Sequence, residues 1–85
     1  MENQSQKPLP WEIEKIIDVA NCLASTGSSG ASTGERIAAA FVLNRLEFLP
    51  ASYQDAVEAW DRLEPEWQGY VRLIKRDYQH KLVPW

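Results

Sequence analysis

The sequence predicts an all-α fold, a small four-helix bundle, and three observations lead there. Apolar residues recur at helical spacing in four stretches, and hydroxyl residues, prolines and glycines mark where those stretches start and stop. No segment alternates apolar and polar residues as a half-buried strand would. The expected helices lie near 11–24, 33–48, 53–63 and 66–80, in a single domain over 1–85 with a flexible tail at 1–8 and a flexible connector at 25–32.

The first helix follows Pro8 and Pro10, which hold the chain extended before it. Its apolar face is Ile13, Ile16, Ile17, Ala20, Leu23 and Ala24, while Glu14, Asp18 and Asn21 mark the solvent side. Glu12 and Glu14 stand in the first turn, where the helix dipole favours negative charge. Gly27, Gly30 and the surrounding hydroxyl residues then break the periodicity.

The second helix is the one the others must cover. Ser32 and Glu35 form an S-x-x-E capping signature at its start, and Leu49-Pro50 ends it. Ile37, Phe41 and Phe48 share one side; Ala39, Val42, Leu43 and Leu46 occupy the other; only Arg36 and Glu47 form a polar strip. A helix apolar on two sides needs partners on two sides.

Ser52 is the expected cap of the third helix, with Asp55 three residues on. Ala56, Trp60 and Leu63 make its stripe, flanked by Tyr53 and Val57, with Asp55, Glu58 and Asp61 opposite. Pro65 stops that helix and suits the first position of the fourth. There Trp67, Tyr70, Val71, Ile74 and Tyr78 face inward, and Arg72, Lys75 and Arg76 gather on the outer arc.

Composition narrows the function classes. The 85 residues are 45% hydrophobic and 25% charged, ordinary for a globular chain and wrong for a disordered one. Four tryptophans supply large rings to a modest core. A net charge of −3 argues against nucleic-acid binding by bulk electrostatics. One cysteine, Cys22, fits a reducing compartment, and the first ten residues lack the basic and apolar regions of a signal peptide. With no apolar run long enough to span a bilayer, a cytoplasmic protein without membrane contact is expected.

The candidate chemistry is thin. The Gly/Ser/Thr stretch before the second helix resembles an anion cradle, but a P-loop needs Lys then Ser or Thr after the last glycine, and Gly34 is followed by Glu35 and Arg36. His80 is the single histidine and has no partner pattern around it. Asp18, one turn before Cys22, would raise that thiol's pKa rather than activate it. Asp55, Glu58 and Asp61 lie along one helical side, whereas a hard cation wants converging oxygens. No catalytic residue, cofactor, metal or small-molecule substrate is therefore expected.

The leading expectation is a non-catalytic protein–protein interaction module, a homodimer or an adaptor for a larger partner. Ala39, Val42, Leu43, Asn44 and Leu46 are the candidate interface, with Asn44 as a polar residue able to fix register in an apolar seam. The acidic arc of Asp55, Glu58 and Asp61 and the basic arc of Arg72, Lys75 and Arg76 are the candidate docking charges. The alternative is a small DNA-associated regulator touching phosphates through the basic arc. Direct reading of DNA by the third helix is disfavoured, because its outer face is acidic.

Overall fold

The computed structural model describes residues 10–27 and 30–82, and among them there are helices and no strands. The order is α1 (Trp11–Thr26), α2 (Thr33–Leu43), two 3₁₀ turns (Leu46–Phe48 and Ala51–Tyr53), α3 (Ala56–Arg62), α4 (Pro65–Asp77) and a last 3₁₀ turn (Gln79–Lys81). The chain is a small all-α bundle, as its periodicity predicts. The tail expected at 1–8 lies outside the described residues.

α1 starts at Pro10, whose carbonyl accepts from the amides of Ile13 and Glu14. It runs two residues past the expected end and closes on Gly27, which sits at φ 80°. A left-handed residue after the last turn lets the chain leave while its amide still bonds to the Leu23 carbonyl. The connector is accordingly shorter than expected, since Ser25 and Thr26 are helical.

α2 begins as its sequence predicts. The Ser32 hydroxyl accepts from the Glu35 amide at 3.3 Å, and the Glu35 carboxylate accepts from the Ser32 amide at 3.1 Å. Its end is different. The helix stops at Leu43 rather than near 48, because Asn44 turns left-handed at φ 59° and closes it with amide bonds to the Ala40 and Phe41 carbonyls. Asparagine tolerates this conformation better than other side chains do, and no proline or glycine is needed.

Leu46–Phe48 then folds as a separate 3₁₀ turn, tied down by the Arg36 Nε donating to the Phe48 carbonyl at 3.0 Å. Leu49 is buried, and the Gln54 amide group donates to both the Leu49 and Pro50 carbonyls. α3 is shorter than the expected 53–63. Its cap is Asp55, accepting from the Glu58 amide at 3.2 Å, not Ser52, which precedes the helix in a 3₁₀ turn. α4 has Pro65 in its first turn and ends at Asp77 instead of continuing to 80.

The core is one cluster built around α2. Ile37, Ala38, Ala39, Ala40, Val42 and Leu43 are all buried, which accounts for both apolar sides of that helix. α1 contributes Ile13, Ile16, Ile17, Val19, Ala20 and Leu23; Ala59 and Leu63 close it from the α3 end, and Val71 and Ile74 from α4. α1 makes the largest interface with α2 and α4 the next. No charged or polar residue is buried among those described, so the core carries no desolvation penalty of that kind.

Candidate functional site

The candidate interface on α2 divides in two. Ala39, Val42 and Leu43 are closed over by the chain's own helices, with at most 4% of their surface exposed, so the patch expected of them is not on the surface. The reason is that three alanines in succession let neighbouring helices approach closely, and two short helices can then share the side that α1 leaves open. Asn44 does not sit in an apolar seam; it is the exposed residue that caps the C-terminal end of α2. Leu46 is 45% exposed on the following turn.

The basic arc is on the surface, but its charges are engaged. The Arg72 guanidinium lies over the Trp60 ring, 5.3 Å from its centroid. The Lys75 Nζ donates to the Phe41 carbonyl at 3.1 Å, serving a carbonyl in the last turn of α2 where the dipole is negative. Arg76 pairs with its neighbour Asp77 at 3.0 Å, and that carboxylate holds the guanidinium above its ordinary pKa. Phe41 meets Trp60 edge to face at 5.1 Å, so the first two cations border an aromatic contact joining α2 to α3. Gln68 also donates to the Trp60 carbonyl, at 2.8 Å.

The acidic arc is the opposite case. Asp55 is used as the cap of α3, yet Glu58 and Asp61 are exposed and, among the described residues, hold no ion pair. At about 100° per residue, Val57, Asp61, Glu58 and Arg62 follow one another around the outer side, opposite the buried Ala59. Val57 is 67% exposed. It belongs to this face rather than to the inward stripe it was expected to flank, because α3 turns Ala59 fully inward and Val57 lies on the far side of the helix from it.

The acidic character continues past the helix. Residues 55–66 hold Asp55, Glu58, Asp61, Glu64 and Glu66 against Arg62 alone, a net −4 where the whole chain carries −3. Glu66 accepts from the Tyr70 hydroxyl at 3.1 Å; that hydroxyl's partial removal from water, with the carboxylate beside it, raises the Tyr70 pKa. Sequence reading did not join Glu64 and Glu66 to the acidic arc, and it set Val57 beside the inward stripe instead of on the exposed side. A running sum of charge across Pro65 would have found the first two.

Two surface depressions lie among the described residues away from these arcs or at their margin. One of 470 Å³ lies between the start of α2 and the α3–α4 corner, lined by Ser32, Gly34, Glu35, Arg62, Glu64 and Trp67 among others. The amides of Ser32 and Glu35 there are bonded to each other's side chains, and two carboxylates line the wall, which disfavours an anion. The other, of 340 Å³, runs along α1 beside Lys81, whose carbonyl accepts from Asn21. Among the described residues, no group of three His, Cys, Asp or Glu is placed to share a metal ion, and no helix is long and apolar enough to cross a membrane. No protein-family model, curated protein or solved structure matches the chain.

Proposed function

We propose that this protein is a non-catalytic interaction module that serves as an adaptor for a larger protein partner, which it meets through the outer face of α3. The observation that carries the reading is Val57, an exposed apolar side chain beside Glu58 and Asp61, which hold no ion pair among the described residues. An apolar contact ringed by charge is the usual anatomy of a protein interface, the first giving affinity and the second selecting the partner.

A homodimer built on α2 has lost its surface, since Ala39, Val42 and Leu43 are inside one chain. Nucleic-acid contact through Arg72, Lys75 and Arg76 would first have to draw those groups from Trp60, Phe41 and Asp77. The cytoplasm is the proposed site of action, in keeping with the lone thiol of Cys22.

The test is site-resolved. A photo-crosslinking residue at Val57 is expected to yield a discrete heterologous adduct in the native cell, while one at Lys15, on the exposed side of α1, gives none. Light scattering of the purified protein is expected to give the monomer mass. Adducts from Lys15 but not Val57, or a stable dimer, would overturn the reading.

A further inference from the structure

We infer that α3 is a strap that opens as a unit while α1, α2 and α4 stay folded, and that the Trp60 side chain is its latch. The other helices are anchored by several apolar side chains. α1 places six residues in the core, and α4 buries Val71 and Ile74 with Trp67 and Tyr70 packed beside them. α3 spans seven residues and buries only Ala59, whose single methyl removes little apolar surface from water. Its two ends are held independently of it. Gln54, just before the helix, donates to the Leu49 and Pro50 carbonyls, and Leu63, just after it, is buried. Asp55 and Leu63 are both in extended backbone, so the chain can turn at either end without strain.

What holds the helix down is concentrated on one residue. The Trp60 ring meets Phe41 of α2 edge to face at 5.1 Å and lies under the Arg72 guanidinium of α4, 5.3 Å from its centroid. The Trp60 carbonyl accepts from the Gln68 amide group, also of α4, at 2.8 Å. These contacts reach two helices through a single side chain and its own carbonyl, so they are lost together. Seven residues are too few for a helix to persist alone in water, and leaving the bundle and melting are therefore one event. The open form bares the Phe41 and Trp60 rings and returns Arg72 to solvent; closure masks that aromatic surface and occupies that cation. None of this requires the outer face of α3 to dock a partner.

Native-state hydrogen exchange of the whole, isotopically labelled chain in low urea is the test. The Ala59 and Leu63 amides, bonded to the Asp55 and Trp60 carbonyls, are expected to share one opening free energy, below that of amides in the middle of α1. Both are expected to exchange faster as urea rises, because opening exposes surface. Arg72→Met removes a contact that opening also removes, and is expected to speed them about fivefold. Ile16→Val weakens packing on α1, which the open form retains. It is expected to speed the α1 amides about fivefold and leave the α3 amides unchanged. Equal opening free energies for α3 and α1, with both moved by Ile16→Val, would mean that α3 opens only when the whole chain unfolds, and would overturn the inference. So would α3 amides that exchange independently of urea, the mark of simple fraying. Unchanged α3 exchange in Arg72→Met would remove Trp60 as the latch.

Discussion

The Lys75 ammonium on α4 donates to the Phe41 backbone carbonyl on α2, 3.1 Å away and 34 residues earlier in the chain. A side chain that reads as one charge of a basic surface is thus part of how two helices are joined. Arg72, one turn before it, does the same through the Trp60 ring.

These two contacts make the basic arc measurable as structure. Replacing Arg72 and Lys75 together by methionine is expected to lower stability by about 1–2 kcal/mol, from one cation–π contact and one charged hydrogen bond. Two solvated charges would leave the urea midpoint nearly unchanged.

The burial of α2 predicts an asymmetry between neighbouring positions. Ala39→Leu inserts volume where no surface is exposed and is expected to cost about 1–3 kcal/mol in urea unfolding. Leu46→Asp, at a residue 45% exposed, is expected to leave a folded monomer with a loss of about 0.5 kcal/mol.

Asn44 reports on its backbone. At φ 59° a valine is expected to destabilise by about 1–2 kcal/mol, whereas Asn44→Gly stays within about 0.5 kcal/mol because glycine adopts that conformation freely. Equal effects of the two substitutions on the thermal midpoint would mean that α2 does not end there.

The caps give a test of chain register. Asp55→Ala is expected to cost about 1 kcal/mol and Ser52→Ala close to nothing, since the Asp55 carboxylate accepts the Glu58 amide and Ser52 lies outside the helix. Ser32→Ala is expected to match Asp55→Ala, through loss of its half of the reciprocal pair.

Tyr70 sets a pH dependence. Its pKa is raised above the ordinary value of 10.0, chiefly by desolvation and then by its bond to Glu66. The folded state therefore holds the phenolic proton more tightly than the unfolded chain does. That contribution is complete below the unfolded value and disappears as pH rises through the folded one. Tyr70→Phe is expected to flatten the alkaline fall in stability, and phenolate absorbance of the native protein should show one tyrosine titrating late.

Where the pattern was strong, the sequence was sufficient. The face of α1, the Ser32–Glu35 pair and Pro65 at the start of α4 all follow from local chemistry that a single segment contains. The end of α2 was not legible, because Leu46 and Phe48 continue the helical spacing through Asn44, whose left-handed backbone is what ends the helix. α3 starts at Ala56 instead of near 53, and its cap is Asp55 in place of Ser52. At the candidate site, Glu58 and Asp61 were readable as an exposed arc, whereas the exposure of Val57 depended on which side of α3 the other helices cover. The basic arc was visible as charge but not as contact, since Trp60 and Phe41 belong to other helices.

The three consecutive alanines of α2 bear on how the chain acquires its shape. Alanine has no rotamers to freeze, so Ala38, Ala39 and Ala40 enter the interior with no loss of side-chain entropy. The larger side chains packed around them do lose that freedom. The middle of α2 is therefore the segment whose ordering meets least entropic resistance, and α1, its largest neighbour, is joined to it by a short connector. Assembly through that pair first is expected, and α3, with Ala59 as its one buried residue, is then the helix expected to loosen first, which amide hydrogen exchange would read.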